Sequence, residues 1–335
     1  MKLLITGGAG FIGSNFIHYI LKKYPDYEIV NLDKLTYAGN LDNLKDIEND
    51  ARYKFVKGDI CDEKIVSEVA CGVDAIVNFA AETHVDRSLY ESGSFIKTDV
   101  YGTWVLLEAV KKFKIKKFLQ ISTDEVYGDI PAGKFSRETD LLRPSSPYSA
   151  SKAGAEMQVL ASYRTFELPI LITRSSNNYG PYHYPEKIIP LFITNCLENK
   201  QVPVYDNGTQ VRDWLYVEDN CAGIDTVLHK GELGEIYNIG ANQDPEITNL
   251  ELTKAILKLT GKDESLIKHV SGLRPGHDQR YAVNTAKIRA LGWEPKMNFE
   301  QGIKMTVDWY VKNRKWWEKI KSGEYLEYYK KHYRE

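Results

Sequence analysis

Residues 2–13 read KLLITGGAGFIG: a short apolar run, then Gly7, Gly10 and Gly13, and at once a segment of helical period over 11–23. Glycines at this spacing let a strand turn sharply into a helix. They also let the backbone approach an anionic group held at the helix N-terminus. A glycine-rich turn alone is only a tight connection, but its place at the head of a strand–helix–strand series marks a dinucleotide pyrophosphate site. The turn residues Gly7, Gly10, Phe11, Ile12 and Gly13 are therefore cofactor candidates. Asp33 follows the second apolar run, EIVNL (28–32), 20 residues beyond Gly13. A carboxylate there can bond the ribose hydroxyls and repels a 2′-phosphate, which selects NAD over NADP. Asp59, after the third run in KGDI, reads equally as an adenine contact and as a helix cap.

Outward from this stretch the pattern repeats. YKFVK (53–57), DAIVNF (74–79), KFLQIS (117–122) and PILITR (169–174) are further predicted strands, and EIYNIG (235–240) adds one more. Amphipathic segments over 11–23, 62–70, 94–113 and 147–167 separate several of them. That alternation predicts an α/β fold: a doubly wound parallel sheet of Rossmann type with helices on both faces. After about residue 178 the texture changes. NNYGPYHYPEKIIP reads as a binding loop, 247–260 as a helix, SGLRPGHDQRY as a loop and 299–332 as one or two helices. The expected division is a dinucleotide-binding domain, 1–178 plus about 214–240, and a smaller mixed α/β substrate domain, about 179–213 plus 241–335.

The 335 residues fit roughly two domains of about 150 each. With 44 Lys+Arg against 46 Asp+Glu the net charge is −2, which disfavours nucleic acid as the main partner. A hydrophobic share of 43% and a charged share of 27% exclude a disordered chain. The four cysteines form no CxxC pair and read as reduced thiols. No apolar run reaches a membrane span, and the stretch before Gly7 is too short for a signal-peptide core. The expectation is a cytoplasmic protein without a membrane partner.

Tyr148 and Lys152 stand four apart in SPYSASK, on one face of a predicted helix. A lysine cation near a phenol favours the phenolate, so Tyr148 can take a proton from an alcohol while hydride leaves its carbon. Ser122, Thr123, Asp124 and Glu125 end the fifth strand, at the carboxyl edge where open α/β sheets bind ligands. Two adjacent carboxyls in different environments can act as acid and base for an elimination. Without the Tyr/Lys pair they would read as caps of the next turn.

GGAGFIG, LDKLTYAGN, NFAAETHVDRS, STDEVYG, PYSASK, RSSNNYGP and RDWLYVED together resemble the dTDP-glucose 4,6-dehydratase family, within the extended short-chain dehydrogenase/reductases. The resemblance runs from residue 1 to about 310, and its Thr-Asp-Glu triplet and AETHVDRS are its narrowest motifs. It implies C4 oxidation by a tightly held NAD with Tyr148 as base, loss of water across C5 and C6, and reduction at C6. Glu125 would remove the C5 proton, Asp124 would protonate the leaving hydroxyl, and Thr123 would polarise the C4 oxygen. Lys152 would also meet the nicotinamide ribose. It further implies cofactor contacts at Asp33, Lys34, Thr36, Asp59, Ile60, Ala80 and Thr98. Implied substrate positions are Thr83, Asn177, Lys187, Tyr205, Arg212, Asn249 and the loop from Arg274 to His277. Guanidinium forks at 212 and 274 suit a diphosphate.

Two positions depart from the family pattern: Leu273 stands where Asp is usual and Gln279 where Arg is usual. Both flank the nucleotide end and bear on the choice between dTDP and UDP. His84 reads as a hydrogen-bonded structural group, and no histidine spacing suggests a metal. The aromatic, lysine-rich tail reads as helices packed on the body. Segments 94–113 and 147–167, with Trp104, Val105, Leu106, Leu107, Met157 and Leu160, are candidate faces for a homodimer, as in related enzymes. Competing readings are another nucleotide-sugar enzyme, such as a UDP-hexose 4-epimerase or UDP-glucuronate decarboxylase, and an NAD-sensing regulator without turnover.

Overall fold

A computed structural model of the chain describes residues 1–274 and 276–333. Strands β1 (Lys2–Thr6), β2 (Glu28–Asp33), β3 (Tyr53–Lys57), β4 (Ala75–Asn78), β5 (Lys117–Thr123), β6 (Ile170–Ser175) and β7 (Ile236–Ile239) form one sheet. Every pairing is parallel, in the order β7-β6-β5-β4-β1-β2-β3. The order reverses between β1 and β4, so a crevice opens beyond their carboxyl ends. This is the doubly wound architecture expected from the alternating pattern.

The two faces are filled by alternate residues of each strand. Leu3 and Ile5 pack with Phe16, Ile17 and Ile20 of α1 (Phe11–Lys23) on one side. Leu4 packs with Val66 of α2 (Glu63–Ala70) and Val105 and Leu106 of α3 (Thr103–Phe113) on the other. All residues of β4 and β6 are buried, as a sheet covered on both faces requires. A separate apolar cluster joins Tyr179, Phe192, Leu252, Ile256, Ile303 and Trp317 in the later part of the chain.

Several expected elements differ in detail. The 94–113 segment is not one helix. A short turn at Gly93–Phe95 runs into a π-helical turn, Ile96–Gly102, before α3 begins. Asp99 is thereby turned inside, where it accepts from Glu82 N at 2.9 Å and Ser151 Oγ at 2.6 Å. Val105, Leu106 and Leu107 are consumed by the sheet core, whereas Trp104 and Met157 stay exposed. The tail forms three helices, Phe299–Lys312, Arg314–Ile320 and Glu324–Tyr333. Asn313 breaks the first pair, and Gly323, at φ 53°, precedes the last. Within the stretch read as a loop, Asn177–Tyr179 is a strand paired with Trp214–Tyr216, and a helix begins at Ile188.

Helix α4 (Pro147–Phe166) carries the Tyr/Lys pair and is started firmly: Pro147 opens it, and Ser146 and Ser149 form a reciprocal cap. Its middle is anchored to β6 by a buried ion pair, Glu156 with Arg174 at 2.6 Å. Arg174 also donates to the Tyr127 hydroxyl at 2.7 Å. Glu156→Ala leaves that guanidinium buried without its partner, so unfolding in denaturant should show a loss of about 3–5 kcal/mol. A loss below about 1 kcal/mol would mean that the pair is not coupled to the fold.

Candidate active site

The crevice holds two adjoining cavities. The first, about 220 Å³, is lined by Gly7, Gly10, Phe11, Ile12, Gly13, Asp33, Lys34, Thr36, Asp59, Ile60, Ala80, Thr98, Tyr148 and Lys152. The turn explains its glycines. Gly7 sits at φ 69°, and a Cβ there would lie 2.6 Å from Ala80 N. A Cβ on Gly13 would lie 2.4 Å from the Gly7 carbonyl, so only glycine lets α1 start this close to β1. At Gly10 the one protein atom within reach of a Cβ is the Gly7 oxygen at 3.3 Å, which leaves a bare backbone facing the cavity.

Asp33 accepts from Ala9 N at 2.9 Å and Leu35 N at 2.8 Å. Burial raises its pKa, and these two amides oppose the rise. Asp59 is not the helix cap: Asp62 accepts from Lys64 N and Ile65 N. Asp59 instead pairs with Lys34 at 2.8 Å. Burial pushes Asp59 up, but Lys34 and the Cys61 amide bring it below its usual value. The bare turn at a helix N-terminus, the carboxylate at the end of β2 and the unpartnered Ser122 Oγ fit a dinucleotide.

The second cavity, about 260 Å³, is lined by Thr83, Thr123, Asp124, Glu125, Tyr148, Asn177, Lys187, Tyr205, Arg212, Asn249, Arg274 and His277. Tyr148, Ser122 and Lys187 line both cavities, so the two meet at the Tyr148 side chain. Among the described residues, side chains lining the second cavity carry buried polar atoms without a partner: Asp124 Oδ2, Asn177 Oδ1, Asn249 Oδ1 and His277 Nδ1. Such atoms are costly to leave unsatisfied and mark where a polar ligand sits. Leu273 and Gln279 do not line the cavity, and Gln279 is tied by its amide to Asp129 Oδ1 at 2.8 Å. Pro275, within the expected loop, lies outside the described residues.

Sequence reasoning assigned no site role to His84, Asp86, His183, Glu186, Tyr281 and Tyr333, all of which line the second cavity. Asp86 had a signal, being a charged residue inside the AETHVDRS motif. Tyr333 had none, because only folding brings the last helix back to the crevice.

Thr123, not either carboxyl, caps the turn after β5: its hydroxyl accepts from Glu125 N at 3.2 Å. The carboxyls are thus free for chemistry, and their surroundings differ. Burial raises the Asp124 pKa far above the usual range, Glu125 adds to it, and Arg212 opposes weakly. Burial also raises Glu125, but Arg274, Lys187 and Arg212 all act to keep it ionised.

One expectation is corrected. Lys152 does not dominate the titration of Tyr148. Burial, then Glu125, Asp99 and Asp124, hold Tyr148 well above its ordinary pKa, and the Thr123 hydroxyl opposes them. The Lys152 ammonium donates instead to the Ile121 carbonyl at 2.7 Å. Among the described residues no cluster of three metal-ligating side chains occurs, and no helix is long and apolar enough to cross a membrane.

The sheet order, the glycine turn and the Tyr148/Lys152 pair define an extended short-chain dehydrogenase/reductase. The family model described as GDP-mannose 4,6 dehydratase matches residues 4–306. A dTDP-glucose 4,6-dehydratase of Streptomyces niveus is 49% identical, over 96% of this chain and 96% of its own length. Two solved dTDP-glucose 4,6-dehydratases, both with NAD, are similar in structure. That of Bacillus anthracis is 51% identical, with TM-score 0.89 over 96% of this chain and 99% of its own. That of Streptomyces venezuelae is 47% identical, with TM-score 0.93 over 96% and 100%. A UDP-glucose 4-epimerase of Thermus thermophilus shares the fold at 29% identity. This chain belongs to the dTDP-glucose 4,6-dehydratase family.

Proposed function

We propose that the protein converts dTDP-glucose to dTDP-4-keto-6-deoxyglucose, a hydro-lyase reaction with NAD restored in each turnover. The observation that carries this reading is the Asp124–Glu125 pair at the end of β5. The two carboxyls sit in different electrostatic settings, with more cations around Glu125, and line one cavity with Tyr148. An epimerase has no use for an acid and a base directed at C5 and C6.

NAD, held by the glycine turn, Asp33 and the wall from Ile60 to Thr98, would supply the two-electron acceptor and, on its oxidised ring, a positive charge. Tyr148 accepts the C4 hydroxyl proton, with Thr123 bonding the same oxygen. The C4 ketone acidifies the C5 proton, which Glu125 removes. Asp124 gives its proton to the departing C6 hydroxyl, and water leaves; the hydride taken from C4 would then return to C6 and a proton would be added at C5, which makes the C6 methyl and restores NAD. Asn177, Lys187, Tyr205, Asn249 and His277 hold the nucleotide sugar, and Arg212 and Arg274 meet its diphosphate.

We further propose a cytoplasmic homodimer. Ile96, Tyr101, Trp104, Met157 and Phe166 stand exposed on the π-turn, α3 and α4, an apolar area a second copy can cover. The division into 1–178 plus about 214–240 and about 179–213 plus 241–335 is supported in outline by two apolar clusters, although Ile288 and Trp293 pack in the first and Trp214 and Tyr216 in the second.

The direct test is to incubate the purified protein with dTDP-glucose, and separately with UDP-glucose, without adding NAD. Loss of one water from dTDP-glucose, with a C6 methyl and a C4 ketone by NMR, is the expected result. Conversion of UDP-glucose to UDP-galactose without dehydration would overturn it.

A further inference from the structure

The last helix, Glu324–Tyr333, returns to the crevice and brings Tyr333 to the wall of the substrate cavity. Beside it, His332 is only 2% exposed and meets three polar groups from other elements. Its Nδ1 lies 3.3 Å from the Tyr90 hydroxyl, and its Nε2 lies 2.6 Å from the Tyr205 hydroxyl and 3.6 Å from Asp86 Oδ2. The Tyr205 hydroxyl lies 3.1 Å from Asp86 Oδ2, and Arg274 Nε donates to Asp86 Oδ1 at 2.6 Å.

Counting protons fixes one direction for this chain of bonds. Asp86 is held below the usual carboxylate range: burial opposes its charge, but Arg274 and then His84 more than offset that. An ionised Asp86 only accepts, so Tyr205 must donate to it. Tyr205, with its one proton on Asp86, accepts from His332 Nε2, and its hydroxyl also meets that of Tyr333. His332 is then the Nε2–H tautomer, and its Nδ1 accepts from Tyr90. All four links are satisfied at once, ending on a carboxylate that grips Arg274 by Nε, while the Nη1 of Arg274 reaches His277 Nε2 at 3.4 Å on the cavity wall.

We propose that His332 is a positioning residue for nucleotide binding: through Tyr205 and Asp86 it sets the orientation of Arg274 toward the substrate diphosphate. The C-terminal helix is therefore a working wall of the nucleotide site as well as a packed tail. This inference rests on the nucleotide-sugar reading above. Among the described residues the other titratable groups around Asp86 include His84, with Nε2 at 3.9 Å, Lys187, His277 and the Arg87–Glu186 pair, and none of these is hydrogen-bonded to the Tyr205 hydroxyl.

The test is the affinity of the full-length protein for dTDP by titration calorimetry, with KM and kcat for dTDP-glucose beside it. His332→Ala should weaken dTDP about tenfold and raise KM in step, while kcat and bound NAD stay near the parent values. His332→Gln, which can donate to Tyr205 and accept from Tyr90, should recover most of the loss. In a Tyr205→Phe background His332→Ala should add little. Additive losses, or His332→Ala binding dTDP within twofold of the parent, would overturn the relay. Should His332→Ala fail to fold, the Gln variant and Tyr205→Phe alone still decide: dTDP affinity unchanged in Tyr205→Phe overturns it. A parent protein that binds neither dTDP nor UDP overturns the nucleotide-sugar reading, and this inference falls with it.

Discussion

The Asp124→Asn, Glu125→Gln double variant is expected to oxidise C4 and then stall. Each amide keeps the shape of its acid but can neither give nor take the proton that elimination needs. A positioned acid or base contributes about 10²–10⁴-fold, so dehydration should slow by at least that factor. The surroundings of the two groups say which limb of the pH profile belongs to which. Glu125 must be ionised, and its raised pKa means that activity falls as pH drops through a value above the usual glutamate range. Asp124 must be protonated, and burial raises its pKa well above the usual carboxylate range, so activity should fall as pH rises through that elevated value. The measurement is rapid-quench analysis with mass and NMR detection of the 4-keto-glucose nucleotide. Both limbs should vanish from the dehydration step. Normal turnover by the double variant would take the acid and base roles away from these residues.

Tyr148→Phe should fail one step earlier. The ring stays, edge-on to Phe95 with centroids 6.3 Å apart, and α4 keeps its Ser146 cap, so the fold is undisturbed. What is lost is the hydroxyl that meets Thr123 and lies between the two cavities. Without it the C4 alcohol has no proton acceptor, and oxidation should slow by about 10²–10⁴-fold. Stopped-flow mixing with dTDP-glucose separates the variants. The double variant should show the nicotinamide absorbance change and hold it, whereas Tyr148→Phe should show almost none. A full-size change in Tyr148→Phe would mean that another group takes the proton.

Much of this arrangement was legible in the linear chain because it depends on local rules. A strand that meets Gly7, Gly10 and Gly13 has one way to enter a helix, and a carboxylate 20 residues on falls at the neighbouring strand's end. Tyr148 and Lys152 share a helix face at any tertiary placement, since four residues make about one turn. Near-continuous apolar strands separated by amphipathic helices leave few packings besides a doubly wound parallel sheet. What failed was local as well: a π-turn over Ile96–Gly102 interrupts one predicted helix, and a glycine and an asparagine cut the tail into three.

The partners that set each group's charge were not legible, because they come from far along the chain. Glu125 is kept ionisable by Arg212 and Arg274, and Arg274 is held by Asp86, whose bonding partner Tyr205 is bound by His332 from the last helix. No spacing rule connects residues 86, 205, 274 and 332. The sequence by itself determined the sheet, the cofactor turn and which side chains carry the chemistry, since these follow from short-range periodicity and backbone sterics. Only the tertiary structure decided their protonation states and the wall of the nucleotide site, since burial and charge neighbours exist only once distant segments meet.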